Sequence, residues 1–219
     1  LDRQGHRGKI TALSPRGLLS QVHRNVKPIV VPAKDVPFGA ELSKLSSWVR
    51  QLCTKVVNQG GDWRSAIDAL RPHTQRIWRS MPLAQRQRFV RHARAYWDVH
   101  RHRLAPEVQT QLTSLRAAGR LEIIAGRIVE AEQRKDAVTI RIVRRGQNEI
   151  ETCTFARLVD CTGPIHDPRQ STNPLIRSLL ARGAARPDPL SIGLDIDEEY
   201  SLIDASSRRS NRVRAIGPL

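Results

Sequence analysis

The apolar residues of this chain keep a helical spacing up to Gly119 and a strand-like one beyond it, and that change limits what the chain can fold into. Leu42, Leu45, Trp48, Val49, Leu52 and Val56 recur at steps of three and four, the spacing of one buried helix face, and Gly60-Gly61 closes the segment. Asp62 is placed to cap a second helix carrying Ala66, Ile67 and Leu70, which Pro72 should bend or restart before Ile77 and Trp78. Pro82 suits the first turn of a third helix running through Phe89, Val90, Ala93 and Trp97. Pro106 opens a fourth, with Val108, Leu112 and Leu115 on one face and Gly119 as its C-cap. These spacings predict a helical subdomain over residues 40–119.

Beyond Gly119 the chain turns to short β-rich runs at Leu121–Ala125, Ile128–Gln133, Val138–Arg144, Glu149–Phe155 and Arg157–Asp160, with a turn at Arg145-Gly146-Gln147-Asn148 that makes a hairpin. A helix is expected from Asn173-Pro174 through Leu175, Ile176, Leu179 and Leu180 to Gly183. Further strands are expected around Leu190–Ile196, Ser201–Asp204 and Arg212–Ile216. Strands, a β-meander and an inserted helical subdomain predict an α/β chain built on a partial dinucleotide-binding sheet. The expected organisation is a linking segment over 1–39, the helical subdomain over 40–119 and a β-rich part over 120–219.

Charge follows the same division. The net charge of +16 comes almost entirely from residues 1–120, which hold 22 basic and 7 acidic residues against 15 and 14 in the remainder. Of the 37 basic residues 31 are arginine, a bias that GC-rich coding also produces. A stripe of Arg86, Arg88, Arg91, Arg94, Arg101 and Arg103 would neutralise phosphates and bind nucleic acid in a salt-dependent way, although no helix-turn-helix, zinc-finger or RNA-recognition signature accompanies it. The same charge can instead steer an anionic cofactor such as NADP.

No stretch approaches the roughly 18 uninterrupted apolar residues of a membrane span, and residues 1–7 hold no apolar signal core. Cys53, Cys153 and Cys161 form neither a CxxC pair nor an even-numbered framework, so a reducing cytoplasm is the expected location. His92, His100 and His102 lack the spacing of a helical metal pair, and no metal is expected. With no Gly-x-Ser-x-Gly and no supported Cys/His pairing, hydrolase chemistry is not indicated, and Cys161 is expected to be inert behind a buried strand.

Two segments point to a ligand. Ala156–Asp160 is an apolar run that stops in Cys161-Thr162-Gly163-Pro164, and Asn211–Ile216 stops in Gly217-Pro218. A small residue and a glycine at a strand end let the backbone approach a bound molecule, and open α/β sheets bind ligands beyond the carboxyl ends of their strands.

Together with Gly5-His6-Arg7-Gly8-Lys9-Ile10, Ser14-Pro15-Arg16-Gly17-Leu18-Leu19, Leu70-Arg71-Pro72-His73-Thr74, Tyr96–Pro106 and Arg186-Pro187-Asp188-Pro189-Leu190, the first of these segments gives the chain its likeness to a known group of proteins. The chain resembles a bacterial FAD/NAD(P)-binding protein family, distantly similar to flavin-dependent monooxygenases and N-hydroxylases. The resemblance implies a partial Rossmann-like FAD/NAD(P)-binding sheet and flavin-mediated electron transfer from NAD(P) to an unknown acceptor. It implies that Cys161, Thr162, Gly163 and Pro164 pass near the dinucleotides and that Gly217 and Pro218 lie near the flavin ribityl and pyrophosphate. Many flavoproteins carry Gly-Asp at that late position, and the proline here removes a carboxylate for a ribityl hydroxyl. Asp98, His100, Arg101 and His102 are expected as a polar cluster on the nicotinamide or substrate cleft, with a solvated helix end as the other reading. Arg16 and His23 are expected near the dinucleotide, or as surface charge.

No Gly-x-Gly-x-x-Gly follows a strand, so the helix-start loop that holds a flavin pyrophosphate is missing. With Leu at position 1 and an end at Leu219, the sequence reads as a fragment of an oxidoreductase. A basic nucleic-acid-binding module and an inactive remnant remain as alternatives.

Overall fold

A computed structural model describes residues 5–163 and 167–215. The chain divides into two compact units, residues 1–159 and 160–219. It is a mixed α/β protein with a four-stranded mixed sheet in the first unit and a two-stranded one in the second.

The first unit begins with a strand that the hydrophobic pattern did not announce. β1 (Ile10–Ser14) lies inside the segment expected only to link, and it pairs in parallel with the start of β2 (Leu121–Gln133), Ile10 opposite Leu121 and Ser14 opposite Ala125. Parallel neighbours need a long crossover, and the helices over residues 42–117 lie on it. The two runs read as Leu121–Ala125 and Ile128–Gln133 are one strand. Its first half pairs with β1, and its second half pairs antiparallel with β3 (Val138–Arg144), which pairs in turn with β4 (Ile150–Phe155). Gly126 sits at the handover, where a Cβ would lie 2.6 Å from the Val143 carbonyl oxygen. Ile124, Ile140 and Ile142 form the buried centre of this sheet, packed by Leu13, Val138, Cys153 and Phe155.

The crossover is helical over the predicted range. It holds α1 (Leu42–Asn58), α2 (Trp63–Ala69), α3 (Thr74–Ser80), α4 (Leu83–Arg88), α5 (Arg94–Arg101) and α6 (Pro106–Ala117), with a π turn at Phe89–Ala93 between α4 and α5. Asp62 caps α2, accepting from the Arg64 backbone N–H at 2.9 Å, and Pro72 falls in a 3-10 turn that restarts the chain into α3. Two guanidinium groups lie over the Trp63 ring, with Cζ of Arg64 4.4 Å and Cζ of Arg103 5.5 Å from its centroid. The His100 ring meets Trp63 edge-on at 5.1 Å.

In the second unit α7 (Pro174–Ala181) is capped by Asn173, whose side chain accepts from the Leu175 N–H at 2.9 Å. Its Leu179 packs with Ala185 and Leu202, the latter from β5 (Ser201–Ile203), which pairs antiparallel with β6 (Arg209–Arg214). The expected strand at Leu190–Ile196 is a series of bends joined by isolated bridges. There the Asp188 carboxylate accepts from the N–H groups of Leu190, Ile192 and Gly193, satisfying the backbone locally and removing the need for a ladder. No helix among the described residues is long and apolar enough to cross a membrane.

Candidate functional site

The carboxyl end of β1 is where a parallel strand pair, a tight glycine turn and an uncompensated cation meet. Ser14 ends the strand and its hydroxyl accepts the Gly17 N–H at 3.0 Å, closing the Ser14-Pro15-Arg16-Gly17 turn. Gly17 has φ of +60° and lies so close to β2 that a Cβ there would stand 3.1 Å from the Ala125 backbone nitrogen. Only glycine meets both conditions without strain.

Arg16 projects from that turn. Its Nη2 donates to the Arg91 carbonyl at 2.9 Å, and Cζ lies 5.5 Å from the Tyr96 ring centroid. Arg91 belongs to the π turn, in which the Arg94 N–H reaches back to the Phe89 carbonyl. Among the described residues no carboxylate pairs with Arg16. A guanidinium held by one carbonyl and a ring face keeps most of its five donors for an external anion.

The chain beyond the turn is stitched to the last turn of α5 and to the residues between α5 and α6. Gln21 N–H donates to the Val99 carbonyl, Leu104 N–H to the Gln21 carbonyl and His23 N–H to the Leu104 carbonyl, at 2.7 to 2.8 Å. Buried Arg64 fixes this strip by donating from Nε to the Val22 carbonyl at 2.8 Å, while Nη1 pairs with Asp62. Arg16 and His23 thus both leave one anchored segment, His23 exposed at its far end.

The other expected residues fare differently. Asp98, His100, Arg101 and His102 do not converge: Asp98 pairs with Arg94 at 3.5 Å, the His100 Nδ1 faces the Tyr96 carbonyl at 2.7 Å, and His102 is exposed. Burial and the nearby Arg71 charge push the Arg101 pKa down. Of the arginine stripe, Arg103 is held by Asp68 at 2.9 Å and Arg94 by Asp98, so these two are paired with carboxylates, whereas Arg86 donates to backbone carbonyls, Met81 among them at 2.8 Å, and keeps its charge. No group of three or more His, Cys, Asp and Glu side chains gathers as metal ligands do among the described residues.

Cys161, Thr162 and Gly163 lie in an exposed turn at the start of the second unit. The Thr162 N–H donates to Asp160 Oδ1 at 2.9 Å, which holds the Asp160 carboxyl below its usual range. Gly163 has φ of +81°, and a Cβ there would meet nothing within 4 Å. Pro164, Gly217 and Pro218, the other expected cofactor contacts, lie outside the described residues.

The expectation of a strand at Arg157–Asp160 is corrected. These residues form no ladder, and Leu158 and Val159 are 45% and 63% exposed. A β-prone run becomes a strand only against a partner edge, and none is beside it here. Cys161 is accordingly exposed, not sheltered behind a buried strand.

Compared with known proteins, the chain matches no family model, no curated protein and no solved structure.

Proposed function

We propose that this chain supplies a nicotinamide-dinucleotide site to an FAD/NAD(P)-binding oxidoreductase, at the carboxyl end of β1. The observation that carries the reading is the Arg16 guanidinium, free of carboxylates, on a glycine turn pressed against the neighbouring parallel strand. Ligands of open parallel sheets bind at such strand ends, and an arginine there accommodates a ribose phosphate. In this reading Arg16 pairs with the 2′-phosphate of NADPH, and Gly17, packed on Ala125, holds the turn that presents it.

A nicotinamide supplies the hydride and a flavin stores the electrons when these groups are bound. The chain's own part is to bind and orient. The exposed Cys161-Thr162-Gly163 turn has the open backbone that a flavin contact needs, and Pro164, Gly217 and Pro218 are assigned to the same role by the resemblance alone. The sequence holds no Gly-x-Gly-x-x-Gly loop for the flavin pyrophosphate. The purified chain is therefore expected to bind NADPH but to stay colourless.

Calorimetric titration with NADPH and NADH tests the reading. NADPH should bind the more tightly, and Arg16→Ala should weaken NADPH by about tenfold while leaving NADH unchanged, the size of one charge-assisted contact. Equal affinities, or an Arg16→Ala variant that binds NADPH as before, would overturn it. The alternative of a basic nucleic-acid-binding module loses Arg94 and Arg103 from its stripe to intramolecular carboxylates. A mobility-shift series in salt tests that alternative, since unchanged mobility of nucleic acid at low salt rules it out.

A further inference from the structure

A second site lies away from the strand ends, between α1 and the extended segment over residues 24–32. The two enclose an open groove of about 1100 Å³. Such a volume is just above the usual range of small-molecule sites, about 300–1,000 Å³. The segment has no regular secondary structure, yet Arg64 Nε holds the Val22 carbonyl just before it, and His73 Nε2 holds the Val31 carbonyl near its end, both at 2.8 Å. Between these pins no backbone N–H or carbonyl of residues 24–30 takes part in a described backbone hydrogen bond. The segment is tied at its two ends while the polar groups between them stay uncommitted.

The lining is partly apolar and partly charged, with Arg24, Lys27 and Lys55 against Asp35 and Asp62. Trp48, Leu52 and Val56 give α1 an apolar side to the groove. Lys27 on the segment and Lys55 on α1 are exposed, line the same groove and make no ion pair among the described residues. Arg24 adds a third positive charge, drawn toward Asp62, whose carboxyl it helps to hold below its usual range. With Arg24 set against Asp62 and Asp35 exposed on the other wall, the two lysines leave the groove one net positive charge beside its apolar side. That pairing favours a molecule whose apolar body is drawn from water by the ring and the aliphatic side chains and whose anionic end is drawn by the lysines.

We propose that this groove is a binding site for an amphipathic monoanion, a carboxylate on an apolar body, independent of the dinucleotide reading. Lys27 and Lys55 take the carboxylate, and Trp48 covers the apolar part.

The test uses decanoate as probe, with 1-decanol and decyltrimethylammonium as neutral and cationic counterparts of the same chain length. Calorimetry and tryptophan fluorescence on the full chain should show saturable, one-to-one decanoate binding that weakens with added salt. Decanol and the ammonium compound should bind at least about tenfold more weakly, and the double variant Lys27→Gln/Lys55→Gln should lose about tenfold in decanoate affinity, the scale of two part-exposed charge contacts. Trp48→Phe should remove most of the fluorescence response while calorimetry still records binding. Both lysines are exposed, so circular dichroism of the double variant should match the parent and a loss of affinity cannot be laid to unfolding. Non-saturable uptake, equal affinity for the three probes, or a double variant that binds decanoate as the parent does would each overturn the proposal. Loss of NADPH binding in Arg16→Ala leaves it untouched.

Discussion

Arg103 and Asp68 join the end of α5 to α2 through a two-point contact, Nη1 to Oδ2 at 2.9 Å and Nη2 to Oδ1 at 3.2 Å, with the arginine side chain 4% exposed. The same Nη2 also reaches the Arg64 carbonyl, and the guanidinium flanks Trp63. A buried charge that loses its partner cannot be resolvated, so removing the carboxylate leaves the cost of burial uncompensated. Asp68→Ala is expected to lower stability by about 2 kcal/mol, below the full cost of breaking a buried pair because the aspartate is partly exposed. Urea unfolding should show a lower midpoint at an unchanged slope.

Two glycines separate lack of space from backbone strain. At Gly126 a Cβ would press on the Val143 carbonyl at 2.6 Å, in the strand that both sheet halves share. Gly126→Ala should cost about 2 kcal/mol or more, because backbone on both sides must shift. At Gly146, in the β3–β4 turn, φ is +82° with nothing within 4 Å. Gly146→Ala should cost only about 1 kcal/mol, the conformational term alone. Thermal unfolding of both variants checks the order.

Acid should loosen the edge of the sheet. The Lys9 ammonium and then the Arg144 guanidinium, both hydrogen-bonded to Glu122, hold its carboxyl below the ordinary 4.5, and Arg144 does the same to Glu151. A carboxylate whose folded pKa is depressed contributes stability above its unfolded pKa and loses it as pH falls through the lower folded value. Stability should therefore decline as pH drops below about 4.5, and Arg144→Gln should flatten that decline. Because these groups are partly exposed, added salt should shrink the difference between the two proteins. An unchanged pH profile in Arg144→Gln would count against the assignment.

The three cysteines should label in a set order. Cys161 is exposed, whereas burial pushes up the thiol pKa of Cys53 and, together with the Glu151 carboxylate, that of Cys153. Since the thiolate is the reactive form, iodoacetamide at neutral pH should modify Cys161 first. Peptide mapping over time reads the order, and earlier labelling of Cys53 would contradict the exposed turn.

Much of the helical half was legible because its signals are local. The cap at Asp62, the prolines that open α4 and α6, and the three-and-four spacing of α1 each act within a turn or two of their own position. The hairpin at Arg145–Asn148 is of the same kind, since Gly146 supplies the left-handed residue where it is needed.

What tertiary structure alone decided is pairing. Ile10–Ser14 became a strand because Leu121–Ala125, more than a hundred residues away, offers an edge, whereas Arg157–Asp160, with an equally β-prone composition, stayed irregular without one. The candidate site divided in the same way. The Ser14-Pro15-Arg16-Gly17 turn could be read from its residues, but that it presses on Ala125 and leaves Arg16 without a carboxylate depended on partners far along the chain. Hydrogen bonds within one helix or turn are written in neighbouring residues; those of a sheet join segments whose separation no local pattern encodes.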